Sequence, residues 1–296
     1  MFIEGRERLA AVYKGFARLF DRFVAEIPDN EIFNLLATED QSNDLEREYF
    51  FSSRLGAGMK ELLGEFSIDK IRLQSITINT RRFYDAIQMN RDDLELDRLG
   101  LYRPHIQALA ESYRRHRHKL VIETLESGWT SNSYDGVSFF NDAHPLPNGQ
   151  ANDNRLNTGG AGLTENTVAT ALTLLARMKD DSGNPLGLRG THLLVPPELE
   201  VAARKVVTAA LTGGGNTNVL AGRLEVVVSP YLTSASRWYV LDASLSVAKP
   251  VVFRVAQPPR LEMDDSRAVL NDIILWVVKA RYNAALALYH TIIGAE

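Results

Sequence analysis

Residues 103–127 constrain the fold most, because they predict one long uninterrupted helix. Pro104 stands where a first-turn proline costs no hydrogen bond, and Gly128 follows as a stop signal. At about 1.5 Å per residue this helix would span roughly 35 Å. A helix of that length suits a strut that organises a domain around itself.

The segments after this helix mix helices and strands without regular alternation. Thr164 is predicted to cap a helix over 165–179, a strand is predicted over 191–195, and Pro197 is predicted to begin a helix that runs through Leu211. Four runs rich in β-branched and aromatic residues predict further strands: 223–228, 237–241, 250–255 and 272–282. The fold class is therefore α+β, without the strand–helix repeat of a parallel sheet.

The N-terminal third of the chain contains fewer apolar segments that could form a core of their own. Residues 5–26 carry apolar side chains at helical spacing and predict an amphipathic helix, whose apolar face needs a covering surface. Residues 71–78 and 82–89 flank a short turn and predict a β-hairpin. Because a two-stranded ribbon is marginal alone in water, we expect this hairpin to pack against another chain.

Composition excludes several classes of protein. The 296 residues are 45% apolar and 24% charged, as in a folded domain, and they include no cysteine, which excludes disulfides and thiolate chemistry. The formal net charge of −4 argues against a dedicated nucleic-acid binder. Charged residues interrupt the N-terminus where a signal peptide needs an apolar run, and no segment predicts a membrane span, so we expect a cytosolic origin.

The segment 134–160 resembles a catalytic loop, since Asp135, Ser138, Asp142 and His144 lie within a dozen positions. Ser138 is not in a Gly-x-Ser-x-Gly elbow, and the ligand pattern of a calcium loop is absent. Pro, Gly, Asn and Asp favour turns, so we interpret the segment as a structural connector, held by Phe139 and Phe140. The alternative of a metal-assisted hydrolase using Asp135, Asp142 and His144 stays open.

A basic cluster covers 114–119, on the predicted long helix. His116 and His118 would point about 200° apart on a helix and so would not share a metal ion. We expect the cluster to be a solvated helix face or to meet acids on a neighbouring subunit. The glycine-rich segment TGGGNTN precedes a strand, whereas a phosphate-binding loop follows one, so nucleotide chemistry is not expected.

Four segments in this order resemble a known family: 75–102, 126–145 (which includes DGVSFFNDAHP), 191–206 and 272–286. They are similar to the major head subunit of Mu-like phages and prophages, the gpT family, within the Hong Kong 97-type fold of tailed-phage major capsid proteins. The resemblance implies an N-terminal helical arm over 1–44, an extended β-hairpin loop over 45–97 and a spine helix over 103–127. It also implies a peripheral domain made of 98–163 and 251–296, and an axial domain over 164–250.

The same resemblance implies a structural protein with no catalytic residues, no cofactor and no metal. It would self-assemble into hexamers and pentamers and form an icosahedral shell that encloses phage DNA without sequence-specific binding. Its expected partners are further copies of itself, a scaffolding protein and a portal, with no membrane, in a virion capsid assembled in the bacterial host cytoplasm. An encapsulin-like nanocompartment shell is the alternative within this fold. The residues expected at contacts between subunits are Arg72, Arg81, Arg82, Phe83 and Tyr84.

Overall fold

The computed structural model describes residues 2–44, 46–51, 74–90, 92–93, 99–209, 217–244, 249–266 and 272–296. Its helices are α1 (Phe2–Glu26), α2 (Glu31–Leu36), α3 (Arg103–Ser127), α4 (Glu165–Ala176) and α5 (Glu200–Thr208). The long helix is confirmed as α3, which ends at Ser127 and is capped by Gly128. Thr164 caps α4 with its hydroxyl oxygen, which accepts from the Thr167 N–H. Leu211 lies outside the described residues.

The strands lie mainly in two sheets. They are β1 (Ala37–Gln41), β2 (Glu46–Phe51), β3 (Gln74–Asn79), β4 (Arg81–Asn90), β5 (His144–Pro145), β6 (Ala151–Asn152), β7 (Arg155–Leu156), β8 (His192–Val195), β9 (Glu225–Val228), β10 (Trp238–Leu241), β11 (Val251–Asp264), β12 (Ile273–Leu286) and β13 (Ile292–Ala295). Sheet 1 has the order β1-β11-β12-β4, and sheet 2 has the order β7-β13-β10-β8-β9. Strands β2 and β3 form a separate antiparallel pair, here called the ribbon.

The pairing predicted between 71–78 and 82–89 is wrong. Strand β3 pairs with β2, while β4 leaves the ribbon after Thr80 and pairs with β12 from Arg81 to Asn90. The physical reason is burial: β12 offers β4 a long partner in the core, where Met89 is 1% exposed. The short turn that indicated a hairpin is instead the junction between the ribbon and sheet 1.

The N-terminal segment packs against the rest of its own chain, whereas its sequence predicted a helix in need of a covering surface. Helix α1 packs on α3 and β11, and the edge of the Phe16 ring meets Trp276 at a centroid distance of 5.0 Å. The apolar face of α1 is thus covered within its own chain. Helix α2 and β1 also join the core, with Phe33 5.1 Å from Phe253 between ring centroids, so the arm expected over 1–44 is not a separate unit.

The C-terminal strand also departs from the expected division. Residues 251–296 were expected to accompany the spine helix, and β11 and β12 do lie in sheet 1. Strand β13, however, pairs with β10 and β7 in the centre of sheet 2. Across the described residues, no helix combines the length and apolar character that a bilayer crossing requires.

Candidate functional site

The ribbon has one face packed on the body and one face open to solvent. The antiparallel register places Tyr49, Ile76 and Ile78 on the packed face, where they cluster with Val252 and Ala287. The opposite face consists of residues that are all exposed: Glu46, Glu48, Phe50, Ser75, Thr77 and Asn79. Phe50 is 61% exposed, which is unusual for a phenylalanine.

A buried arginine attaches the base of the ribbon to sheet 1. Arg254 on β11 is 0% exposed and donates from Nη1 to the carbonyl oxygen of Ile78 at 2.9 Å. Its Nη2 donates to the carbonyl oxygen of Asp44. Nearby, the Tyr49 hydroxyl donates to Asp40, and burial is the main cause that raises the pKa of this tyrosine. The ribbon therefore leaves the body from a rigid base.

The outer face of sheet 1, the face turned away from α3, is basic. Along β12 the even-numbered side chains from 274 to 282 are buried, so the odd-numbered ones point outward. Cross-strand partners then gather four basic side chains on this face: Arg82, Arg260, Lys279 and Arg281. Tyr84 stands opposite Lys279 and is 79% exposed. Glu262 pairs with Lys279 at 2.5 Å and offsets part of the charge.

The residues expected at subunit contacts fall into three groups. Arg72 lies outside the described residues. Arg81, Arg82 and Tyr84 are exposed on β4. Phe83 turns inward, where its ring lies 4.6 Å from Tyr282 and 4.5 Å from His116 between centroids.

The sequence expectation missed the basic residues that β11 and β12 add to this face. The signal was present in 272–286, where Lys279 and Arg281 alternate with apolar residues at strand spacing. Recognising it required knowing that β12 lies between β11 and β4.

The loop at 134–160 is organised around a buried histidine. His144 is 0% exposed, and its Nδ1 lies 2.5 Å from Asp135 Oδ2. Its Nε2 faces the Asn154 Oδ1 at 3.0 Å and the Phe139 carbonyl oxygen at 3.2 Å. Asp142 is exposed and takes no part in these contacts. With both ring nitrogens facing oxygen atoms of its own chain and no exposed surface, His144 fixes the loop and is out of reach of a substrate.

Phe139 and Phe140 anchor the same loop to the body. Both are 0% exposed, and Phe140 packs 4.9 Å from Trp129 between ring centroids. A Cβ at Gly294 would lie 2.7 Å from the Phe140 ring, so β13 needs glycine at this close approach. The interpretation of the segment as a structural connector agrees with this packing.

The basic cluster on α3 is only partly a solvated face. Arg117 is 3% exposed and lies between aromatic rings, with its guanidinium carbon 4.4 Å from Phe33 and 4.9 Å from Phe253. It binds Glu39, and Arg114 binds Asp29 at 2.6 Å. The acids that these arginines meet thus belong to their own chain, because the residues just before α2 and strand β1 fold back onto α3.

His116 and His118 point to different sides of α3, as the helical spacing predicted. Nδ1 of His116 lies 2.8 Å from the Tyr282 hydroxyl. His118 faces Ser229, with 3.4 Å between Nε2 and Oγ. The two rings therefore brace α3 against β12 on one side and against the residues after β9 on the other.

The family model described as Mu-like prophage major head subunit gpT matches residues 9–162 and 157–232. The chain belongs to this family. It is 25% identical over 251 residues to the major capsid protein of Escherichia phage Mu, covering 59% of this chain and 82% of the relative. It is 22% identical over 277 residues to the Mu-like prophage FluMu major head subunit of Haemophilus influenzae, covering 92% of this chain and 68% of the relative.

Solved structures agree on the fold of this gpT-family chain. A chain from the procapsid of bacteriophage JBD30 superposes with a TM-score of 0.59 at 19% sequence identity, covering 97% of this chain and 74% of that one. At this identity the likeness concerns the fold, which is the α+β Hong Kong 97-type capsid fold. Both the expected family and the expected fold are confirmed.

Proposed function

We propose that this gpT-family chain, a major capsid protein of the phage head, self-assembles into hexamers and pentamers of an icosahedral shell enclosing DNA. The observation that carries the proposal is the exposed outer face of the ribbon. A two-stranded ribbon with an exposed phenylalanine has little stability of its own in water. It is stabilised when a second copy covers the phenylalanine and removes its apolar surface from water. Membership of a capsid-protein family supports a contact between copies of this chain.

The second copy would receive the ribbon on the outer face of sheet 1. Glu46 and Glu48 make the ribbon face acidic, whereas Arg82, Lys279 and Arg281 make the sheet face basic. Opposite charges on two surfaces of one chain favour a head-to-tail contact, which closes into rings when the rotation between subunits permits. Phe50 and Tyr84 would supply the apolar contact within this charged surround.

In this proposal, 103–127 is the spine, 98–163 with most of 251–296 is the peripheral domain, and 164–250 is the axial domain joined by β13. The ribbon, made of β2 and β3 within 45–97, is the base of the extended loop. The net charge of −4 suits a shell that contains DNA without clamping it. A scaffolding protein and a portal would be further partners, and assembly would take place in the bacterial host cytoplasm to give a virion capsid.

The chain would act without catalysis, in keeping with the buried and fully engaged His144. Light scattering and negative-stain microscopy of the purified chain test the proposal, with rings, sheets or shells as the expected result. A monodisperse monomer that hydrolyses esters or phosphates, and loses that activity in Asp142→Ala and His144→Ala, would overturn it.

A further inference from the structure

Three side chains from separate elements converge between α2 and sheet 2. Glu31 begins α2, and His192 on β8 stands directly across from Glu225 on β9. One ligand atom from each lies within 4.8 Å of the other two. Residues 192 and 225 are cross-strand neighbours, but Glu31 is more than 150 positions away in the sequence, so only the fold brings it to them.

The hydrogen bonds around His192 leave one ring nitrogen directed at the carboxylates. The Thr191 hydroxyl donates to the Leu241 carbonyl oxygen and accepts from the Ala243 N–H. The same hydroxyl oxygen lies 2.7 Å from Nδ1 of His192. When its hydrogen goes to Leu241 it accepts from the Nδ1–H, and the lone pair of the ring is then on Nε2, which lies 3.5 Å from Glu225 Oε2. A lone pair and two carboxylate groups in this arrangement are a donor set that a cation can accept.

We propose that Glu31, His192 and Glu225 form a binding site for a divalent transition-metal cation of the zinc type. One imidazole nitrogen and two carboxylate oxygens are ligands that zinc takes, at about 2.0 to 2.2 Å each. Two such ligands in tetrahedral geometry stand about 3.4 Å apart, close to the observed separation of 3.5 Å between His192 and Glu225. Glu31 is exposed and can move the remaining distance.

The surroundings of the site resemble those of built metal centres. A metal-binding histidine usually donates its other N–H to a fixed partner, which orients the ring, and the Thr191 hydroxyl oxygen, 2.7 Å from Nδ1, is placed for that role. Glu225 has a side chain 66% exposed, so a cation can enter from solvent and water can complete its coordination. The bound cation would fasten α2, which packs on the spine helix α3, to the edge strand β9 of sheet 2.

The test uses the tag-free, chelator-treated full chain and zinc alone as the probe, with binding followed by titration calorimetry. We expect one zinc ion per chain and a Kd at least about tenfold weaker in Glu31→Gln and in Glu225→Gln. Glu165→Gln is the matched control, because Glu165 also begins a helix but lies outside the cluster. Its zinc affinity should equal that of the unaltered chain.

A second measurement separates metal binding from folding. Zinc should raise the Tm of the unaltered chain and of Glu165→Gln, and should raise the Tm of Glu31→Gln by less at the same concentration. Cobalt(II) in place of zinc should give a visible absorption band that His192→Asn loses. Absence of stoichiometric binding, or equal affinity in all four proteins, would overturn the proposal and leave the cluster as an ordinary ion pair.

Discussion

Arg254 donates from Nη1 to the carbonyl oxygen of Ile78 at 2.9 Å, and this contact joins the centre of sheet 1 to the base of the ribbon. Its other terminal nitrogen binds the Asp44 carbonyl oxygen on the opposite side of the ribbon. A single planar guanidinium thus holds both strands of the ribbon at the point where they leave the body: β3 at Ile78, and β2 through Asp44 just before it. The direction in which the ribbon projects is set from inside the subunit.

Replacing Arg254 by methionine should loosen the ribbon base. The change removes both donors and leaves the buried carbonyl oxygen of Ile78 without its partner, at a cost of about 1 to 3 kcal/mol in the free energy of unfolding. Urea unfolding followed by circular dichroism measures this. Arg204→Met on α5, at an exposed position, should change stability by no more than about 0.5 kcal/mol; equal effects from both variants would contradict the role of Arg254.

Arg117 and Arg115 should differ sharply although they lie two residues apart. Arg117→Met removes a buried guanidinium, its ion pair with the partly exposed Glu39 and its contact with the aromatic rings, and we expect a loss of about 1 to 3 kcal/mol. Arg115 is exposed, so Arg115→Met should fall within about 0.5 kcal/mol of the unaltered chain. Chemical denaturation of both variants measures the difference. A change of less than about 0.5 kcal/mol in the free energy of unfolding for Arg117→Met would contradict the burial of Arg117.

Asp135 and Asp142 offer a similar comparison in the 134–160 loop. Asp135→Asn weakens the bond to buried His144 and should lower the free energy of unfolding by about 1 to 3 kcal/mol. Asp142→Asn alters an exposed side chain and should cost no more than about 0.5 kcal/mol. Thermal unfolding measures both, and the reverse order would contradict the role of Asp135 in holding His144.

Two buried histidines predict that the unassembled subunit loses stability in mild acid. Burial lowers the pKa of His118 to about 4 and that of His290 to about 3, whereas an unfolded histidine has a pKa of about 6.5. Below pH 6.5 the unfolded chain binds protons that the folded chain does not, so the stability present above pH 6.5 falls as the pH drops toward 4.

The size of this effect is at most about 1.4 kcal/mol per pH unit for each histidine. Urea unfolding at pH 7 and pH 5 measures it, and His118→Leu should flatten the dependence. An NMR titration in which the His118 ring protonates above pH 5.5 would refute the assignment.

The sequence predicted the elements better than their partners. Helix α3 was foreseen because Pro104 and Gly128 are local signals that act within one turn of the chain. The pairing of β3 and β4 was predicted wrongly because pairing depends on which distant strand offers more burial, and β12 is about 190 residues further along the chain. Arg117 was misjudged for the same reason, since its acids, Asp29 before α2 and Glu39 on β1, reach it only on folding.

The candidate contact surface was foreseen in part. Arg82 and Tyr84 carry a local signal, namely alternation in a strand. Lys279 and Arg281 join them only through the register of β12 against β4, which no local pattern specifies. The convergence of Glu31 with His192 is likewise a product of the fold and has no signature in spacing.

Charge exchange across the proposed contact tests the central claim most directly. Glu46→Lys with Glu48→Lys should leave a folded subunit that no longer forms rings or shells, because the ribbon would then meet a surface of its own sign. Arg82→Glu with Lys279→Glu should fail in the same way. Combining all four changes restores opposite charges and should restore assembly, as judged by sedimentation velocity and negative-stain microscopy. Full assembly of either double variant, or no recovery in the quadruple variant, would contradict the placement of the ribbon on the outer face of sheet 1.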